Sequence, residues 1–430
     1  MPDNAPFVRD AMQDFVAEFL SGSEAFKRRY PGMPAGLAWH CEPIRAEFME
    51  AFNVWLEDRL ALMPTTVDAL KTKEPGEPPK PEDFGNRQMA MFQDLLCNTA
   101  MERDSLSNVF DLWDSIPRYS ISRQAMDKVR NEHGMLPLMK IDFHYKGMPF
   151  KAIIRPARIE EKDGTTKDYY PSANEELAED ALRKIAADQQ KQNGFFDKLN
   201  HRSGVVFSLY MLRKELKRRG HTRSYHEIVL SLDILSLSII DIRTSDDNEI
   251  KGISRSNYFP SLAAVSKHQL GEDPQAKWIV QFHPLVTQAL NELTYRQFNY
   301  AQMMSHRTQL ARWLHKQLSL KFTFASLMTS FEMRYSTIKR DSALLNSYGR
   351  ERKAIEAMDT ALDELVKAKV LSKFNKNPVI GFRGKVDDVI YTLFASINFS
   401  HEMKAANKRK QLAEDRQTEA IKSSTAPKQR

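Results

Sequence analysis

The chain is short of cysteine, of long apolar runs and of the motifs that usually announce catalysis. Only Cys41 and Cys97 occur in 430 residues, too few for a disulfide framework and in keeping with a reducing cytosol. No uninterrupted apolar run approaches the ~18–20 residues that a bilayer-crossing helix needs, so no membrane partner is expected. The opening Met1-Pro-Asp-Asn-Ala-Pro6 lacks the basic-then-apolar pattern of a secretory signal. A cytoplasmic protein is expected. A nucleotide-cradling loop requires Gly-x-x-x-x-Gly-Lys-Ser/Thr. The nearest approach, Gly381 to Val386, has the wrong spacing and no hydroxyl after Lys385. None of the 11 histidines forms His-x-His, the pair a strand-nicking nuclease would place beside its tyrosine, so Tyr169-Tyr170 is read as structural. His40-Cys41 has no companion at zinc spacing. Asp246-Asp247 and Asp387-Asp388 fall in expected turns and are read as turn and solubility residues. No cofactor and no metal are expected, and the protein is read as a non-enzyme. A nuclease or primase-like activity is the rival from another class.

What is present is charge, unevenly spread. The formal net charge is +7. The balance of Lys+Arg over Asp+Glu runs −6 for residues 1–100, −1 for 101–200, +3 for 201–300 and +11 for 301–430. A basic surface can simply be a solvated one. An acidic N-terminal third joined to a basic C-terminal half better suits a chain that meets a polyanion at one end and proteins at the other.

Periodicity organises the chain. Residues 1–136 read as a helical N-terminal region, with helices over 10–62 and from Arg87 to about Trp113. They are interrupted by a Pro-rich loop at 64–86 holding Pro64, Pro75, Pro78, Pro79 and Pro81. Residues 137–203 switch to period two. Met139, Ile141 and Phe143 alternate with Lys140, Asp142 and His144 before a Lys146-Gly147 turn, and a second hairpin is expected near Lys162-Asp163-Gly164. Ser172 and Glu175 then form a capping box for a helix reaching about Gln190.

Residues 204–300 order as an amphipathic helix Val205–Arg219 and a helix capped by Ser224. A strand Ser238–Arg243 turns back toward Ile253, a third strand is expected at Lys277–Phe282, and a helix follows from Pro284. Residues 301–400 repeat the order. Leu310, Trp313, Leu314 and Leu318 mark a helix with Arg307, Arg312 and Lys316 on its other faces. Phe324–Phe331 is read as a second helix. A long third helix, about Gly349–Val370, buries Ile355, Met358, Leu362, Leu365 and Val366. A turn at Asn375–Pro378 and a strand Val389–Ala395 follow. Residues 401–430 read as a frayed helix ending in a basic disordered tail. The fold expected is α+β and predominantly helical. Two tandem winged-helix domains follow a helical N-terminal region and a small β-hairpin segment.

The candidate contacts are cationic. Arg350, Arg352 and Lys353 crowd the first turn of the long helix, where the macrodipole disfavours cations by a few tenths to about 1 kcal/mol unless an external anion answers. Arginine to guanine O6/N7 would read bases and lysine would meet phosphate; a solvated face is the plainer reading, and Glu351 dilutes the signal. Lys339 and Arg340 precede this helix, and Lys373, Lys376, Arg383 and Lys385 surround the expected wing. Arg213, Lys214, Lys217, Arg218, Arg219 and Arg223 form a further cluster. It lies at a helix C-terminus, where cations are locally favoured in any case.

Tyr170–Ile185, Gly204–Leu216, Ser224–Ile242, Ala311–Leu318 and Glu351–Leu365 resemble bacterial plasmid replication initiators of the RepA type. That resemblance covers roughly 170–399. It implies two winged helices binding iterons, the direct repeats of a theta-type origin in double-stranded DNA, with the basic first turn of the long helix as principal reader. It also implies host DnaA and replicative helicase as partners, and a switch between promoter-repressing dimers and initiating monomers. A homodimer would form through the first winged helix. A winged-helix transcriptional repressor without a replication role is the alternative.

Overall fold

In the computed structural model the described residues are 104–425, without 132, 162, 188–192, 198–199, 247–248, 266–272 and 382–385, and without the side chains of 245–251 and 416–425. All belong to one compact unit, Pro78–Arg430. The expected helices over 10–62, the loop 64–86, His40, Cys41 and Cys97 lie outside the described residues.

The described chain opens with β1 (Leu106–Phe110), α1 (Arg123–Val129), β2 (Met139–Tyr145), β3 (Met148–Arg155), β4 (Ala157–Glu160), β5 (Thr166–Tyr169) and α2 (Ala173–Ala186). There follow β6 (Gly194–Asp197), β7 (Arg202–Ser208), α3 (Leu209–Arg218), α4 (Tyr225–Leu237), β8 (Ile239–Asp246), β9 (Glu249–Asn257), β10 (Ser261–Val265) and β11 (Lys277–Gln281). Then come α5 (Pro284–Asn291), β12 (Tyr295–Asn299) and α6 (Tyr300–Ser305). The C-terminal part runs α7 (Gln309–Lys321), β13 (Ser330–Arg334), α8 (Tyr335–Ser342), α9 (Glu351–Lys367), β14 (Leu371–Ile380), β15 (Val386–Ala395) and α10 (Ile397–Thr425). Among the described residues fifteen strands stand beside ten α-helices, an α+β fold in which sheets carry much of the core.

Several helix ends follow directly from local chemistry. The Glu175 carboxylate accepts the Ser172 N–H at 2.8 Å at the start of α2, and Glu227 does the same for Ser224 at 2.8 Å before α4. Both are capping boxes that satisfy N–H groups a helix leaves open. The Lys146-Gly147 turn joins β2 to β3 with both residues at positive φ, 51° and 82°, a conformation glycine adopts freely.

Two sheets share an order. β7 pairs with β11 and β11 with β10, giving β10-β11-β7-β6; β13 pairs with β15 and β15 with β14, giving β13-β15-β14. In each case the strand that leads into a helix pair lies beside the second strand of the closing hairpin. The similarity of order between the two halves is therefore carried by strand pairing as well. In the first half the closing hairpin is β10–β11. The β8–β9 hairpin instead continues β2 and β3 into a separate sheet, β2-β3-β8-β9.

Four expected elements are corrected. The described end of the Arg87–Trp113 helix is strand β1, with all five residues buried, because β12 pairs with it from far along the chain. The Val205–Arg219 helix divides at Ser208. Val205, Val206 and Phe207 lie in β7 between β6 and β11, and Ser208 Oγ accepts the Met211 N–H at 3.3 Å to start α3. Phe324–Phe331 forms no helix; Phe324 and Met328 are 84% and 95% exposed, so no apolar stripe is buried there, and the chain enters β13 and then α8. The expected turn at Asn375–Pro378 is extended strand β14, where Pro378 is tolerated at a sheet edge. The C-terminal helix continues to Thr425, and residues 426–430 lie outside the described residues.

The buried apolar residues fall into two cores, one built mainly from Leu106 to Met304 and one from Leu310 to Met403. Between them lies a buried ionic joint, beside which Leu320, Ala343 and Ala413 of the second half pack on the first core. Asp114, Glu176, Glu179 and Asp180 face Arg118, Arg183, Arg312 and Lys316, all eight buried. Arg183 reaches Asp114 at 2.8 Å and Asp180 at 2.6 Å, and Arg118 reaches Asp114 and Glu179 at 3.0 Å each. Lys316 of α7 lies 3.1 Å from Glu176 of α2. Arg312 and Lys316, which the sequence places off the apolar stripe of their helix, are both buried. Four acids against four bases leave the joint neutral, the condition under which buried ions are tolerated. Burial would raise the Glu179 carboxyl, but Arg118 and Arg183 hold it down at about 2.

Candidate nucleic-acid interface

The long helix α9 buries Ala354, Met358, Ala361, Leu362 and Leu365, the 3.6-residue stripe expected of a helix seated on a core. That stripe turns its first turn outward. The helix begins at Glu351, with Arg350 at the N-cap position in extended backbone and no described side chain capping the first turn. Arg350, Arg352 and Lys353 are all exposed. The Arg352 side chain is 91% exposed and meets only its helix neighbour Glu356, at 3.0 Å, a surface pair worth little in water. The Lys353 and Ala354 N–H groups bond back to the Arg350 carbonyl at 3.0 and 3.2 Å, so the start of α9 sets three cations toward solvent that are not matched to internal carboxylates.

The flanking cations are more constrained. Lys339, in the last turn of α8, donates to Glu351 Oε2 at 2.7 Å and so spans the start of α9. Arg340 forms a two-point pair with Asp341 at 2.7 and 3.0 Å. Asp341 also accepts the His144 N–H at 3.0 Å, so this group ties α8 to β2. Lys376 donates to Asp359 of α9 at 2.6 Å, and the Tyr391 hydroxyl reaches the other Asp359 oxygen at 2.7 Å. Asp359 thereby fastens the β14–β15 hairpin to the helix. Lys373 is exposed and lies 4.9 Å over the Phe394 ring. Arg383 and Lys385 lie outside the described residues.

The Arg213–Arg223 cluster is mostly engaged in holding its own loops. Arg213 sits 4.6 Å over the Tyr225 ring and donates to the Arg223 carbonyl at 3.1 Å. Arg218 pairs with Asp104, Arg219 with Glu215 at 2.8 Å, and Arg223 with Asn174 at 2.7 Å. Lys214 and Lys217 remain exposed. The helix in the place corresponding to α9 is α4, and its N-terminus differs in kind. Glu227 and Ser224 fill it from within, so of these two corresponding helices the open cationic start belongs to α9.

The sequence predicts a turn at Asp387-Asp388. In the structure Asp388 accepts the Ser336 N–H at 3.0 Å and its hydroxyl at 2.6 Å, securing the start of α8. Arg334, 61% exposed and 3.9 Å from Asp388, was not singled out by sequence. Its place before a strand–helix junction becomes visible only once β13 is recognised.

No protein-family profile matches the chain, and no curated protein matches it. Solved structures that it is similar to include a crystal structure of domains 2 and 3 of RctB, with 12% identity and a TM-score of 0.40 over 60% of this chain and 91% of that one. A second structure of RctB domains 2–3 gives 12% identity and a TM-score of 0.38 over 65% and 97%. The Pi initiator protein in complex with iteron DNA gives 9% identity and a TM-score of 0.29 over 69% and 99%.

Proposed function

We propose that the chain is a sequence-specific DNA-binding initiator of theta-type plasmid replication, resembling the RepA type, and not an enzyme. The two halves act as tandem winged helices. The second engages an iteron through α9, with Arg350 and Arg352 addressing base edges, Lys353 and Lys373 meeting phosphate, and the β14–β15 hairpin as the wing. The observation that carries this reading is the uncapped, outward-facing start of α9 with its three exposed cations. A helix start that lacks a cap and concentrates positive charge is locally unfavourable, and a DNA phosphate or base edge relieves it. Recruitment of host DnaA and replicative helicase and dimerisation through the first winged helix belong to the same proposal, on the strength of the sequence resemblance.

Footprinting of the purified chain on DNA flanking its gene tests the reading, with protection of regularly spaced direct repeats as the expected result. A plasmid carrying only this gene and those repeats should be maintained in a host that cannot otherwise replicate it. Protected repeats without maintenance would leave a repressor, and no protection anywhere would remove the DNA-binding reading.

A further inference from the structure

The β2-β3-β8-β9 sheet has one apolar face, with Ile141, Phe143, Phe150, Ile154, Ile240 and Ile242 in the first core. Strand alternation puts the charged positions on the other face. There the register sets Ile153, Asp241 and Arg255 in one row and Lys151, Arg243 and Ile253 in the next. Asp241 is fully buried. It accepts Arg255 Nε at 2.6 Å and Nη2 at 2.9 Å and Arg243 Nη2 at 3.2 Å, while Arg155 Nη2 stands 3.5 Å away.

Three guanidiniums thus share one carboxylate. A single arginine already balances the charge of one carboxylate; the second and third are positive charge in excess at one point, and like charges this close repel. Three guanidiniums carry about 15 N–H donors against about four acceptor positions on one carboxylate. The donors not aimed at Asp241 can meet another anion where their side chains reach solvent. The side chains of Arg155, Arg243 and Arg255 keep 39%, 25% and 50% of their exposure, and Arg243 Nε is buried without a hydrogen-bond partner. Nearby, Lys151 and Asp142 pair at 3.4 Å and cancel, and Lys140 is exposed. Among the described side chains of this face, five cations meet two acids. The sheet is also fixed to the DNA-facing half, since its edge strand β2 is held to α8 through His144 and Asp341.

We propose that this sheet face is a second polyanion-binding surface, gripping phosphates of duplex DNA that flanks the segment engaged by α9 without reading its bases. Clustered, partly exposed guanidiniums suit phosphate, which they can bind through two parallel hydrogen bonds. The inference rests on the function proposed above and adds a location for flank binding in the first half, away from the self-capped α4.

The test uses the full chain and two duplexes, one holding a repeat alone and one holding the same repeat extended by about two helical turns of random sequence, roughly 20 base pairs. In the Arg155→Gln/Arg255→Gln variant, the slope of log affinity against log salt should fall by about two on the extended duplex, near 0.9 for each phosphate that is no longer neutralised. The short duplex and base preference should be unaffected. If the double variant does not fold by circular dichroism, Arg155→Gln alone carries the test, with a slope change of about one. An unchanged slope on the extended duplex overturns this inference and leaves the α9 reading standing, as does an equal weakening on both duplexes. Loss of a dimer by sedimentation with the slope retained assigns the face to a second copy of the chain instead and also overturns it. Absence of duplex binding by the wild-type chain overturns both proposals together.

Discussion

Lys316 Nζ lies 2.6 Å from Asp180 Oδ2, joining α7 of the second half to α2 of the first, with each side chain only 4% exposed. Two tandem units can be hinged or locked, and this pair belongs to the locked arrangement. Lys316→Met would leave Asp180 and Glu176 buried with less compensation. Removing one partner of a buried pair typically costs about 3–5 kcal/mol, so the urea midpoint should fall markedly at unchanged secondary structure. A loss within about 0.5 kcal/mol, the range of ordinary surface substitutions, would show the joint to be solvated.

Acid should loosen the fold in two stages. Burial holds His283 down at about 3 and His306 down at about 4, and it depresses His315 well below the usual imidazole range. A histidine with a depressed folded value contributes stability above its unfolded value near 6.5, and that contribution is lost as pH falls toward the folded value. Each such group can remove up to about 1.4 kcal/mol per pH unit below about 6.5. Glu179, held at about 2 by Arg118 and Arg183, adds a second loss below about 4.5. Unfolding midpoints measured from pH 7 to 3 should hold above about 6.5, decline below it, and decline further below about 4.5. His283→Asn, which retains an acceptor for the Leu285 N–H, should flatten the first stage, and a wild-type profile level between pH 7 and 5 would contradict the assignment.

Gly204 lies in β7 where a Cβ would come 2.1 Å from the Val280 carbonyl oxygen and 2.5 Å from the Phe195 ring. The ring could shift, but the carbonyl belongs to the paired strand β11. Gly204→Ala should therefore destabilise by about 1–3 kcal/mol, the usual cost of forcing extra volume into packed structure. Thermal melting would detect it, and an unchanged melting temperature would mean that β11 moves aside freely.

At the start of α9, Glu351 is the one acid among the cations and is engaged by Lys339. Glu351→Gln removes a negative charge and releases Lys339 toward solvent. Affinity for random duplex should rise, and the salt slope should steepen by about one. Titration by fluorescence anisotropy in a salt series measures both; weaker binding would place Glu351 on the DNA-recognition side.

In the second half the elements with local signals were legible, while β13, α8 and the extended β14 were not. The buried stripe of α9 reads directly from Met358, Leu362 and Leu365, and the closing strand from Val389 to Ala395. The capping box at Ser172–Glu175 and the cap at Ser224 were visible in the sequence, whereas the part of Glu227 in a second box emerges from the structure. The strands read as helix failed for a physical reason. Val205–Phe207 and Leu106–Phe110 owe their conformation to partners distant in sequence, which no local period reveals. The ionic state of the site was equally hidden. Nothing in the sequence tells that Lys376 is answered by Asp359 or Arg340 by Asp341, whereas Arg352 meets only a neighbour on its own exposed helix face. The guanidinium cluster of Arg155, Arg243 and Arg255 exists only because β8 lies between β3 and β9.

The central claim, that the first turn of α9 reads DNA, is tested most directly by comparing Arg350→Ala with Lys373→Ala on a panel of single-base variants of a protected repeat. Arg350→Ala should flatten discrimination at one or two positions by about 1–3 kcal/mol. Lys373→Ala should weaken every sequence alike and lower the salt slope by about one. If both substitutions weaken repeat and random duplex to the same extent, with the base-preference profile unaltered, α9 is not the reader.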